Sequence, residues 1–343
     1  MKESHPFEPP QRLVQNRPVR PGWACDSTEE FRRAPRVLHP GDGDSTCGVA
    51  SEAPTKGFFG RGVPVSFVAS GPTRQPPFYK VAGTGRPLVV LHGLGVDHRY
   101  VEASVEPIFT GRPGWKRVYL DLPGHGRTPA EEWIRSNDQM VDVVVEFLEG
   151  MLGRDRFALV GLSYGGYLAR GVVQRLRERI DGLLLWVPAR YPREDRHTPA
   201  PTVLVENPAV VAEASTDAEK EYLSVAVVPD RETLAWIRAY AVPAAAASNE
   251  KFLAAVTGGK LSSEAQDSPF QGPTLIVCGR QDAIVGYRDQ WELVEQFPRA
   301  TFAVLDGAGH FLGATEQVGL FRALFGDWLD RLDSWQPPTP ARA

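Results

Sequence analysis

Gly161-Leu162-Ser163-Tyr164-Gly165-Gly166 is preceded by a largely apolar run, residues 156–160, and followed by a helix-like run, residues 167–179. That order reads as strand, sharp turn, helix. A serine on such a turn takes a strained backbone conformation, and glycines on either side let neighbouring chain approach closely enough to leave Oγ exposed. The pattern is G-x-S-x-G, a nucleophile elbow. Short Gly/Ser patterns also occur in ordinary turns, so the surrounding sequence has to decide.

A serine hydroxyl is a weak nucleophile at neutral pH. It needs a histidine to take its proton and a carboxylate to hold that histidine in the right tautomer. Downstream, residues 273–279 read as a short apolar strand that ends in Arg280-Gln281-Asp282, which places a carboxylate just past the strand's C-terminal edge. Residues 300–305 read as another strand, followed by Asp306-Gly307-Ala308-Gly309-His310. The chain order is therefore Ser163, Asp282, His310. In open parallel sheets, reactive groups gather outside the carboxyl ends of strands, so three residues on three such loops can converge.

With these residues in view, the chain resembles the α/β-hydrolase fold superfamily from about residue 63 to about residue 332. Four motifs carry the resemblance: His92-Gly93-Leu94-Gly95 after a strand at 87–91, Asp121-Leu122-Pro123-Gly124-His125-Gly126 after a strand at 117–120, the serine elbow, and the Asp282/His310 pair. The resemblance implies an α/β protein with a mostly parallel twisted sheet flanked by helices. It also implies an oxyanion hole made by two backbone N–H groups, those of Leu94 and Tyr164. Loss of one such donor costs about 3 kcal/mol of transition-state stabilisation.

Each candidate has a plainer alternative. Asp282 competes with Asp289, Asp306 and the Glu194/Asp195 pair beyond a strand at 182–187, and is preferred because it follows its own strand directly. Asp306 lies too near His310 in the chain to orient its ring and reads as a turn former. His125 reads as structural near the pocket, and His92 as a support for the oxyanion turn through hydrogen bonds. For His98, Arg99 and Tyr100 the default is a solvated loop at the pocket mouth. Cys278 reads as a small apolar strand residue.

A chain of 343 residues holds one large α/β domain plus an insertion, and a hydrophobic content of 42% fits a substantial core. The formal charge of -4, with scattered arginines, leaves no polycationic surface, so no nucleic-acid partner is expected. No apolar run is long enough for a transmembrane helix. Cys25, Cys47 and Cys278 cannot all pair, and the N-terminus lacks a signal-like hydrophobic core, so a cytoplasmic protein is the expectation. The His and Cys residues lack ligand spacing and no loop is built to cradle phosphate; no metal and no cofactor are expected.

Residues 1–62 are rich in Pro, Arg, Gly and Ser without a sustained period, too little apolar surface to offset ordering entropy, and read as a disordered extension. Residues 63–69 and 77–81 read as the antiparallel start of the sheet. The hydrolase core is assigned to 63–188 and 273–332, with a helix over 138–152 capped by Asn137 or Asp138 and a final helix over 315–332. Residues 333–343 read as a loose tail.

Residues 189–272 interrupt the strand succession and are helix-prone at 208–226 and 231–240. They resemble the helical cap that many members of the superfamily insert, which covers the nucleophile and supplies apolar walls. Tyr222, Leu223, Leu234, Trp236, Ile237, Tyr240 and Phe252 are the candidates for that wall. The resulting expectation is a cofactor-independent serine hydrolase acting on a small or medium carboxylic ester through an acyl-enzyme. The same triad also serves lactonase, thioesterase, carbon–carbon bond hydrolase and perhydrolase chemistry, and the fold also serves non-catalytic ligand binding. Oligomeric state is not legible.

Overall fold

A computed structural model of the protein describes residues 75–262 and 269–336, within the unit Gly62–Ala343. The extension expected at 1–62, the strand expected at 63–69 and the last part of the tail, from 337 on, lie outside the described residues.

Seven strands among the described residues form one sheet: β1 Tyr79–Ala82, β2 Arg86–Leu91, β3 Trp115–Leu120, β4 Phe157–Leu162, β5 Ile180–Trp186, β6 Thr274–Gly279 and β7 Ala300–Leu305. Their spatial order is β1-β3-β2-β4-β5-β6-β7. Only β1 runs antiparallel, with Val81 opposite Val118, while the rest are parallel. Every residue of β4 and of β6 is buried, which is why these strands are unbroken apolar runs rather than alternating ones.

The sheet is flanked by helices. These are α1 His98–Val105, α2 Asn137–Leu152, α3 Tyr164–Leu176 and, in the insertion between β5 and β6, α4 Pro208–Glu213, α5 Asp217–Ser224, α6 Arg231–Trp236, α7 Val242–Ala246 and α8 Glu250–Thr257. After β7 comes α9 Val318–Ser334, which buries Phe321, Phe325, Trp328, Leu329 and Leu332. The Phe321 ring lies 4.6 Å from Trp186 of β5. Burial of each such side chain is worth roughly 1.5–3 kcal/mol.

Several local expectations are corrected. The cap of α2 is Ser136, whose Oγ accepts the Gln139 N–H, whereas Asn137 is already helical. Its side chain is taken up by tertiary bonds, accepting from the Tyr164 hydroxyl at 2.8 Å and donating to the Gly259 carbonyl at 2.6 Å. Residues 208–226 form two helices rather than one, because Thr216 starts a second with its hydroxyl on the Glu219 N–H. Residues 231–240 pass from α6 into a π turn, Ile237–Ala241. The final helix begins at Val318 rather than 315, since Gln317 is left-handed at φ 50° and the Glu316 carboxylate is engaged elsewhere.

Leu223, Leu234 and Ile237 pack with Val210 and Phe311 in an apolar cluster separate from the main core. They are packing residues of the insertion, and Phe311 joins that cluster to the loop after β7. No helix among the described residues is long and apolar enough to cross a membrane. Strand β2 has β3 on one side and β4 on the other, so the chain's winding reverses between β2 and β4, the position at which open α/β sheets gather their reactive groups past the carboxyl ends of the strands.

Candidate active site

Ser163 stands at that reversal, between β4 and α3, with φ 52° and ψ −111°. A non-glycine residue in this region costs about 1–3 kcal/mol and persists only where its surroundings over-determine it. Here the Ser163 N–H donates to the Trp186 carbonyl at 2.9 Å, and its carbonyl accepts from Tyr167 and Ala189 at 3.1 and 3.0 Å. The flanking glycines are required by space. A Cβ on Gly161 would lie 2.5 Å from the Gly165 carbonyl oxygen, and one on Gly165 would lie 2.4 Å from that of Leu91. The turn after β2 reaches the same spot, since a Cβ on Gly93 would sit 3.2 Å from the Ser163 Cβ.

The loops after β6 and β7 complete the arrangement. Gly279 ends β6, and a Cβ there would meet the Gly309 and Ala308 carbonyl oxygens at 2.4 and 2.5 Å, so the β7 loop folds over the end of β6 toward β4. His310 Nε2 lies 3.0 Å from Ser163 Oγ, and His310 Nδ1 lies 2.8 Å from Asp282 Oδ2. Asp282 is fully buried, and its Oδ1 accepts the N–H groups of Ile284 and Val285 at 2.8 and 2.9 Å. Its carboxylate therefore cannot rotate without losing two hydrogen bonds.

Leu94 follows Gly93 in the turn packed on Ser163 and is 47% exposed. Tyr164 is the first residue of α3, so its N–H is among those without an acceptor inside the helix. The Tyr164 side chain is buried and tied to Asn137, which anchors the elbow to α2.

The other buried histidines nearby are engaged by hydrogen bonds within the fold. His92 is fully buried; its Nε2 accepts the Leu122 N–H at 2.9 Å and its Nδ1 donates to the Gly93 carbonyl at 2.7 Å. Burial holds its pKa below the ordinary value, so the neutral tautomer bridges the loops after β2 and β3. His125, 4.8 Å from His92, is pushed down to about 3, first by burial and then by His92. His98 and Tyr100 are buried in α1 rather than on a solvated loop. The reason is that Asp97 caps α1 and Asp121 accepts from both the backbone N–H and Nδ1 of His98 at 2.8 Å. The Asp97, His98 and Asp121 cluster is accounted for by these bonds together with those from Arg99 and Arg127.

The competing acids are committed elsewhere. Asp289 bonds the backbone N–H and Nδ1 of His197, Asp306 accepts from Gln281, and Asp195 pairs with Lys260 at 3.0 Å. The Glu194 side chain lies outside the described ones. Cys278 is fully buried in β6, and burial pushes its thiol pKa up. Sequence reasoning missed Glu316, a buried carboxylate that accepts the N–H of Gly309. The only signal it offered was an acidic residue between two apolar runs.

A mostly parallel sheet with a serine elbow past its central strand and a His/Asp pair past its last two strands is the arrangement of the α/β hydrolases. The chain belongs to the alpha/beta hydrolase fold family, which residues 86–317 match. Among curated relatives, the pimeloyl-[acyl-carrier protein] methyl ester esterase of Legionella pneumophila (strain Paris) is 32% identical over 87 residues, 25% of this chain and 31% of that protein. The chain thus matches less than a third of that esterase's length. The 2-hydroxymuconate semialdehyde hydrolase of Pseudomonas sp. (strain CF600) is 26% identical over 279 residues, 74% of this chain and 90% of that protein. An alpha/beta superfamily hydrolase from Oenococcus oeni PSU-1 has a similar structure, with a TM-score of 0.65, 26% identity and coverage of 74% of this chain and 96% of that one. A thermophilic esterase from Thermogutta terrifontis shares the fold, with a TM-score of 0.54, 22% identity and coverage of 74% and 93%.

Proposed function

We propose that the protein is a cofactor-independent serine hydrolase that cleaves a small or medium carboxylic ester through an acyl-enzyme. The observation that carries this reading is the unbroken hydrogen-bonded chain from Asp282 through His310 to Ser163, at 2.8 and 3.0 Å. With Nδ1–H donated to Asp282, the Nε2 lone pair of His310 faces the serine and takes its proton as Oγ attacks the ester carbonyl. Asp282 stabilises the resulting imidazolium. The N–H groups of Leu94 and Tyr164 receive the oxyanion. His310 then returns the proton to the leaving alcohol and activates the water that hydrolyses the acyl-enzyme.

Helices α4–α8 act as the cap in this reading, with the insertion at 189–272 and the core at 63–188 and 273–332. The insertion rests on the loop after β3 and on α1. The Asn249 N–H donates to the Gly124 carbonyl at 2.8 Å, and the Trp236 ring stands edge-on to Tyr100 at 5.5 Å. Contacts of this kind exclude water and give the substrate apolar walls.

A relative matched over most of its length is a 2-hydroxymuconate semialdehyde hydrolase, and this supports a second reading, carbon–carbon bond hydrolysis on the same triad. A panel of p-nitrophenyl esters of increasing acyl length, a thioester, a lactone and 2-hydroxymuconate semialdehyde separates the two. Ester turnover together with fluorophosphonate labelling of Ser163 is the expected result; turnover of the semialdehyde alone selects the second reading. Ser163→Ala is expected to abolish labelling and lower turnover by at least about 10⁴-fold. An unchanged rate removes Ser163 as the nucleophile.

A further inference from the structure

Glu316 is 2% exposed and lies six residues beyond His310. Each of its oxygens serves a different part of the chain. Oε2 accepts the N–H of Gly309, the residue before His310, at 2.6 Å. Oε1 accepts the N–H of Val227, in the turn between α5 and α6 of the insertion, also at 2.6 Å. The two segments touch directly, since a Cβ on Gly309 would lie 2.9 Å from Val227 Cγ2. A second tie runs alongside, with the hydroxyls of Thr233 and Thr315 3.1 Å apart.

The residue type matters. Between two inward-pointing N–H donors, only a group with acceptors on both sides and no donor is satisfied, and an ionised carboxylate is that group. Burying it is costly: burial foremost, with the nearby Asp282 charge, pushes its pKa up against the pull of the Gly309, Val227 and Val228 N–H groups. An apolar side chain would avoid that cost, yet it would leave two buried N–H groups unpaired.

We propose that Glu316 is a positioning residue that latches the His310 loop to the insertion, so that the imidazole stays within reach of Ser163 only while residues 227–228 are seated on its carboxylate. The proposal rests on the serine-hydrolase reading. Opening of the insertion and withdrawal of the base are then one event, and a substrate that holds the insertion down also holds the base in place.

The test is Glu316→Gln in the full-length chain, read by amide hydrogen exchange and by ester kinetics. The carboxamide must turn its NH₂ toward one of the two N–H groups, so one bond is lost and a donor faces a donor. Exchange is expected to rise at least about tenfold in both segments, 225–230 and 307–311. On an ester that the wild type turns over, kcat is expected to fall about 10- to 100-fold, since a displacement of about 1 Å at a reacting group costs up to about 10²-fold. KM stays within about threefold, and Glu316→Asp, which keeps both acceptors, recovers part of kcat.

A rise in exchange confined to one segment, an unchanged kcat, or a kcat loss that only tracks a lost folded fraction overturns the latch. Exchange is read without substrate, so it decides the coupling even if the wild type cleaves no ester. Fluorophosphonate labelling of wild-type Ser163 decides the hydrolase reading separately.

Discussion

On the proposed triad, Asp282→Asn separates orientation of the base from stability of the fold. In the native site Oδ1 accepts two backbone N–H groups, from Ile284 and Val285, and Oδ2 accepts from His310 Nδ1. An asparagine must keep its single oxygen on the two N–H donors, because turning it would set an NH₂ against both. Its NH₂ group therefore points at His310 Nδ1. The imidazole can answer only by accepting there and carrying its proton on Nε2, which then points at Ser163 Oγ from 3.0 Å as a donor rather than as a base. The expected loss in kcat/KM is about 10⁴-fold near neutral pH, equivalent to about 5.4 kcal/mol. Thermal stability should change little, because both backbone bonds survive. The assay is p-nitrophenyl ester hydrolysis from pH 6 to 10, alongside a melting curve. A folded variant that retains more than about a tenth of the wild-type rate refutes the reasoning, since Asp289 and Asp195 are already committed to His197 and Lys260.

Gly165→Ala sets a methyl group 2.4 and 2.5 Å from the Leu91 and His92 carbonyl oxygens, backbone atoms that cannot swing aside. We expect a loss of about 1–3 kcal/mol in urea unfolding and a fall in kcat of about 10²-fold as the elbow shifts; an unaltered midpoint and rate would count against the packing argument. His125 supplies a pH dependence. Its folded pKa of about 3 lies below the ordinary value of 6.5, so the stability it contributes is complete above about pH 6.5 and is lost as pH falls toward 3. The slope is about 1.4 kcal/mol per pH unit within that window. His125→Gln should flatten the unfolding free energy between pH 6.5 and 4.5 relative to wild type, and an identical slope in both proteins would sink the assignment.

The parts legible in the sequence are those set by local pattern. Strands β4, β5 and β6 are buried along their whole length and so appear as largely apolar runs, and Ser163, Asp282 and His310 each follow a strand-like run within a few residues. Their convergence follows from a parallel sheet, in which every strand delivers its loop to the same edge. What stayed hidden depends on partners distant in the chain. Asn137 looks like a cap but is diverted to Tyr164 and Gly259, which leaves the capping to Ser136. His98 looks like a loop residue until Asp121, 23 positions away, captures both its backbone and its ring. Glu316 resembles a first-turn helix residue, and nothing near it in sequence announces that Val227 will approach.

The strand order places the hydroxyl and the imidazole in unequal ground. Ser163 grows from β4, flanked on both sides and buried throughout, whereas His310 hangs from β7, one of the two edge strands among the described residues, most of whose residues are only partly covered. Fraying of a sheet begins at its margin. In the proposed mechanism the base is therefore carried at the margin of the sheet and the nucleophile on a strand covered along its whole length, so local opening at the margin would part the two without disturbing the elbow.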